Sequence, residues 1–129
     1  LEAEARVTLI RKDCINGFVG AIDLATGRNK MADWVNDHQL QAVVVTGICT
    51  DICVMDFVLT LLSARNHAMM PGLKDVVVYA DGCATYDLSP ASAKLLGLPS
   101  TACHPQAETH HVGLYLMASR GAVLASRIG

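Results

Sequence analysis

The chain has 129 residues, 52% of them hydrophobic, with 10 Lys and Arg against 12 Asp and Glu for a net charge of -2. That length and apolar content suit one domain, residues 1–129, with a buried core, and they exclude disorder. No basic stripe is present, which argues against nucleic acid. The longest nearly apolar run, Val54 to Leu62, is broken by Asp56 and Thr60 and is too short to cross a membrane.

Five cysteines at irregular spacing favour free thiols in a reducing compartment, hence a cytoplasmic address. The opening Leu1 to Arg6 is acidic and unlike a secretory signal. Because the sequence begins at Leu1 and residues 7–12 already read as a strand, it is expected to be the back part of something longer.

In chain order, Arg6 to Ile10 alternates weakly and predicts a short strand ending at Arg11-Lys12-Asp13. Asn16-Gly17 and Thr26 to Asn29 mark turns. Met31, Trp34, Val35 and Leu40 recur at helical spacing, with Asn29 or Asn36 and Asp37 on the wet side. Ala42 to Thr46 is a β-branched run without alternation, as in a strand covered on both faces. Asp51 to Arg65 predicts a helix apolar on nearly all sides, therefore a buried one, with Asn66 as its stop.

Asp75 to Ala80 predicts a second buried strand closing on Asp81-Gly82, Ser89 to Leu96 a short helix, and Pro99 to Cys103 a loop. His104 to Ser119 predicts a final helix with Val112, Tyr115 and Leu116 on one face; Gly121 ends it and Ala122 to Ala125 forms a last strand. Such alternation signifies an α/β fold with a mostly parallel sheet, in which ligands bind at the carboxyl ends of the strands. Lys12, Gly47 to Cys53 and Asp81 to Cys83 are expected at those ends.

Two cysteines sit in VVVTGICTDICV, Val43 to Val54. Cys53 falls in the first turn of a helix, where unpaired N–H groups and the macrodipole favour thiolate over thiol. That field contributes ~0.3–1 kcal/mol, occasionally ~2, and Asp51 works against it, so a cation is needed as well. Lys12 is the candidate. Cys49, in the turn, would offer its backbone N–H, with that of Cys53, to a developing oxyanion. A competing reading keeps Cys53 as a small packed hydrophobe, Lys12 as a solvated strand end, and Thr50 and Asp51 as helix caps. His104, His110 and His111 do not make a ligand set by spacing, since adjacent helical residues point about 100° apart; packing or surface roles are expected for them.

The stretch Gly47-Ile48-Cys49-Thr50-Asp51-Ile52-Cys53-Val54 resembles the G-[IV]-x-T-D-x-C-V signature of isochorismatase-like cysteine hydrolases, and Lys12 to Phe18 is similar to that superfamily's catalytic-lysine segment. Ser63 to Asn66, Asp75 to Asp87 and His110 to Tyr115 are most similar to plant-type nicotinamidases. The resemblance implies a three-layer α/β/α, Rossmann-like domain lacking the family's N-terminal strands. It implies Cys53 as nucleophile, Lys12 as the triad lysine, a cis peptide at Ile48–Cys49, and substrate contacts from Ile48, Cys49 and Ile52. The implied reaction is hydrolysis of nicotinamide, a small-molecule amide, to nicotinate and ammonia.

The family's catalytic aspartate and the Asp and His ligands of its divalent, zinc-like metal lie upstream of the lysine segment. No residue here matches them; Asp13, Asp23 and Asp33 follow Lys12. An incomplete, weakly active fragment is therefore expected, whose uncovered valine edges invite pairing with another chain, a homo-oligomer included. Hydrolysis of another small amide, a ureido compound or isochorismate is the alternative within the superfamily. In a different class, the alternative is a non-catalytic remnant or interaction module.

Overall fold

The two valine runs pair with each other. In the computed structural model, which describes residues 7–127, β1 (Ala42–Ile48) lies parallel to β2 (Asp75–Ala84), with Val43 opposite Val76, Val44 opposite Val77 and Val45 opposite Val78. β3 (Val123–Ala125) joins the other side of β2, with Val77 opposite Val123, giving the order β1-β2-β3. Parallel neighbours need long crossovers, and these carry α2 (Met55–Asn66) between β1 and β2, then α3 (Pro90–Leu95) and α4 (Gln106–Ser119) between β2 and β3. With α1 (Lys30–Asp37) ahead of β1, the expected α/β class with a parallel sheet is realised.

Side chains alternate across a strand. Val43, Val76 and Val78 are buried in one core with Val58, Leu61 and Leu62 of α2 and Met117 of α4. On the other face Val44, Val77 and Val123 form a row, and Val44 and Val123 remain half exposed. At ~1.5–3 kcal/mol for each fully buried large apolar side chain, α2 supplies much of the core's stabilisation.

The strand expected before Lys12 does not form. Residues 7–12 have no sheet pairing, and Val7 and Leu9 are more than half exposed; Arg6 and the acidic start lie outside the described residues. Only two alternating apolar side chains precede the charged Arg11-Lys12-Asp13, too few to bury a pairing strand. Lys12 therefore stands in a loop.

Helix ends differ from expectation for local reasons. Asn29 is not on the wet side: it is buried, its Oδ1 accepts from the N–H groups of Met31 and Ala32 at 2.9 and 3.0 Å, and its amide donates to Phe18 O at 2.8 Å. That is an N-cap joined to the preceding loop. α1 stops at Asp37, and Leu40 lies beyond it, its N–H returning to Val35 O at 3.0 Å past a left-handed Gln39. α4 begins at Gln106 instead of His104, since the residue before a proline avoids helical backbone. His104 is pinned by Leu88, each N–H donating to the other's carbonyl at 2.8 Å.

The face of α4 that carries Val112, Tyr115 and Leu116 is the outer one: these three are exposed, and Gly113 and Met117 are buried. A Cβ built on Gly113 would stand 2.9 Å from Asp51 Cα and 3.1 Å from Asp51 N. The helix thus rests on the backbone of the turn that leads to Cys53, a spacing only glycine allows.

Gly113→Ala should lower the denaturant midpoint, with a loss of about 1–3 kcal/mol for the forced shift of backbone. An unchanged midpoint would show that the two backbones are not in fixed contact.

Candidate active site

β1 and β2 part company at the level of Thr46. Val45 pairs with Val78, but Gly47 pairs with Cys83 and Ile48 with Ala84, so β2 carries a bulge of extra residues and runs on past the expected stop at Gly82. Bulges re-aim a strand end. Here the bulge brings Gly47 and Ile48 beside Cys83 and Ala84 at the carboxyl ends of both strands. Gly47 has φ +147°, a conformation suited to glycine, and the Ile48–Cys49 peptide is cis, as the resemblance implies.

The chain then enters a π-type turn, Thr50–Val54, before α2. Val54 N–H donates to Cys49 O at 3.1 Å, and Met55 N–H reaches Thr50 O. Such wide turns recur at functional sites. Cys49 makes no side-chain cap here, and neither Thr50 nor Asp51 serves as one, contrary to the simplest sequence expectation. Thr50 is buried and its Oγ1 pairs with His110 Nδ1 at 2.8 Å.

Lys12 and Cys53 line one cleft of about 230 Å³, together with Gly17, Val45, Thr46, Gly47, Ile48, Val54 and Phe57. Ile48 is exposed at this cleft, whereas Cys49 and Ile52 do not line it. Lys12 Nζ donates to Cys14 O at 2.8 Å and Ile15 O at 3.1 Å, which leaves one of its three N–H donors uncommitted among the described residues. Its stem is fixed by close packing: a Cβ on Gly20 would lie 2.6 Å from Lys12 Cβ. The loop itself is tied to α2 by Asn16, whose amide donates to Thr60 Oγ1 at 2.8 Å while its Oδ1 accepts from Phe18 and Val19 N–H.

Asp51 points to neither Lys12 nor its own helix. Its Oδ1 accepts from Thr85 Oγ1 at 2.7 Å, and its Oδ2 faces His104 Nε2 at 2.7 Å. His104 Nδ1 faces Tyr86 O at 2.8 Å, and the Tyr86 ring stacks on the imidazole at 3.8 Å. Burial alone would push the Asp51 carboxyl up, but the bonds from Thr85, His104 and backbone outweigh it and hold it below its ordinary value. Burial would likewise push His104 down; the bond and charge of Asp51 and the Tyr86 carbonyl outweigh it and raise the imidazole. A carbonyl can only accept, and an ionised carboxylate can only accept, so both ring nitrogens carry protons.

The other cysteines are worse placed. Cys83 is buried, and burial pushes its thiol up. Cys14 is exposed and donates to Asn16 O at 3.3 Å, and Cys103 is partly exposed away from the cleft. Asp23 closes a turn by accepting from Ala25 N–H, and Asp33 pairs with Arg28 at 2.7 Å, so neither faces the cleft. Among the described residues no three His, Cys, Asp or Glu side chains gather as a metal-ligand set. The divalent ion implied by the resemblance therefore finds no fitting cage in them. No helix of the described residues is long and apolar enough to cross a membrane.

The ion pair sets a pH window for stability. Asp51, lowered on folding, stabilises above its unfolded value of about 4, and that contribution is lost as pH falls through the folded value. His104, raised on folding, stabilises fully below about 6.5, and its share is lost as pH rises through the folded value. The gap in melting temperature between the parent and Asp51→Asn/His104→Gln should be widest between about pH 4 and pH 6.5 and narrow on both sides. A gap independent of pH in thermal melts would contradict the ion pair.

Comparison with known proteins agrees with the geometry. The family model described as the isochorismatase domain matches residues 1–126. Nicotinamidase 1 of Arabidopsis thaliana is 53% identical over 128 residues, covering 99% of this chain and 51% of the relative, so the chain spans about half the length of the curated relative it matches. No solved structure matches it significantly. With the signature turn, the cis peptide and the parallel sheet in place, the chain belongs to the isochorismatase family.

Proposed function

We propose that this chain carries the nucleophile half of an amidohydrolase that converts nicotinamide to nicotinate and ammonia. Support comes from one observation above all: Cys53 and Lys12 line a single cleft at the carboxyl ends of the strands. The 53% identity to Nicotinamidase 1 supports nicotinamide as the amide.

The Cys53 thiolate adds to the carboxamide carbon, and the C=O pair moves onto oxygen, where the N–H groups of Cys49 and Cys53 receive it. That pair re-forms the carbonyl as the C–N bond breaks, and the nitrogen takes up a proton and leaves as ammonia. Water adds to the thioester, the carboxylate departs, and the thiolate returns. Lys12 supplies the positive charge that sustains the thiolate. Ile48 offers apolar contact to the pyridine ring from the cleft wall, whereas Ile52 lies outside the lining and makes no such contact, and Cys49 contributes only backbone. The proton transfers require a base that the family takes from an aspartate with no counterpart here, so this chain alone should turn over far more slowly than the complete unit.

Iodoacetamide should label Cys53 faster than the partly exposed Cys103, and excess nicotinamide should slow labelling of Cys53 alone. Cys53 reacting no faster than Cys103 would contradict the assignment. Protection by a ureido compound or isochorismate in place of nicotinamide would reassign the substrate. Ammonia release from this chain at the rate of Nicotinamidase 1 would contradict the missing base.

A further inference from the structure

A carboxylate two residues before the nucleophile opposes the thiolate the mechanism needs. Asp51 stands there, on the same turn as Cys53. Its charge is met by a side chain from a distant part of the chain: His104 Nε2 lies 2.7 Å from Asp51 Oδ2, and the ring's other nitrogen is committed to Tyr86 O at 2.8 Å. With both nitrogens against acceptors the ring is an imidazolium, and the stacked face of Tyr86 suits a cation.

We propose that His104 is a positioning residue for Cys53, neutralising Asp51 and anchoring the turn that presents the sulfur. The inference rests on Cys53 as nucleophile. His104 is itself held rigidly, by paired backbone bonds with Leu88 and by Pro105 after it. Thr85 takes the other oxygen of Asp51, and Gln106 Nε2 donates to Thr85 O at 2.7 Å. The nucleophile's turn is thus tied to the end of β2 and to the approach to α4. Gly113 of α4 presses on the Asp51 backbone from the same side as His110, which holds Thr50.

The charged and titratable groups around this centre are few. Tyr86 stacks on the ring, Asp87 accepts from Gln106 N–H at 3.0 Å, His110 bonds Thr50, and Lys12 stands in the cleft with Cys53. None of them replaces His104 as the counter-charge of Asp51. Without the imidazolium, the turn would keep a bare negative charge two residues before Cys53. Without either member, the charge problem disappears along with its solution.

The test is the rate of Cys53 alkylation by iodoacetamide against pH, read by mass spectrometry of the Cys53 peptide in the full chain. His104→Gln should slow labelling at neutral pH by about three- to tenfold. Asp51→Asn/His104→Gln should return the profile toward the parent. General loosening would instead speed labelling of buried Cys83 in both variants, which circular dichroism would also register. A His104→Gln profile that superimposes on the parent's, or a double variant no closer to the parent than the single one, overturns the inference. If parent Cys53 labels no faster than Cys103, the nucleophile assignment itself fails; rapid Cys53 labelling that ignores His104 defeats only the role given to His104.

Discussion

The carboxylate of Asp51 is the fixed point of this molecule. It stands on the turn between β1 and α2, and it is gripped by Thr85 from the end of β2 and by His104 from the approach to α4. Three separate lengths of chain converge on two oxygen atoms. Because one of the two contacts is an ion pair only partly exposed to solvent, its strength is less screened than that of a surface pair such as Arg28–Asp33. The turn that carries Cys53 is anchored by it.

Close backbone approach does the complementary work. Gly113 lets α4 rest on the Asp51 backbone, and Gly20 lets the loop behind Lys12 press against its stem. On one side of the cleft the turn carrying Cys53 is tied down through Asp51 by a charged network; on the other the ammonium is held by steric fit and by two carbonyls of its own loop. The cleft between them is small and open to solvent through Ile48. Its rigidity comes from elements outside it, above all α2, whose Val58, Leu61 and Leu62 are fully buried beneath the sheet. Cavity shape and charge are thus fixed by different parts of the sequence.

The features legible in the sequence were those with local causes. Valine runs without alternation announced β1 and β2, and the apolar circumference of α2 announced its burial. The T-D-x-C stretch located Cys53 at a helix start. What stayed hidden was set by partners far along the chain. Asp51 reads as a cap from its neighbours, yet its partners are Thr85 and His104. His104 reads as the first residue of a helix, although the proline after it already argues for extended backbone. The packing face of α4 is not marked by its large apolar residues, since Val112, Tyr115 and Leu116 are exposed and the tightest contact is made by a glycine. The strand before Lys12 failed for the opposite reason: a weak local pattern with no partner strand in the sheet.

The protonation state of His104 decides whether Asp51 is neutralised. Two-dimensional 1H–15N spectroscopy of the imidazole at neutral pH measures it directly. Protons on both Nδ1 and Nε2 of His104, with the ring titrating above an ordinary histidine, are the expected result. An unprotonated Nε2 at that pH would mean that Asp51 carries no counter-charge, and the electrostatic account of the Cys53 turn would be wrong.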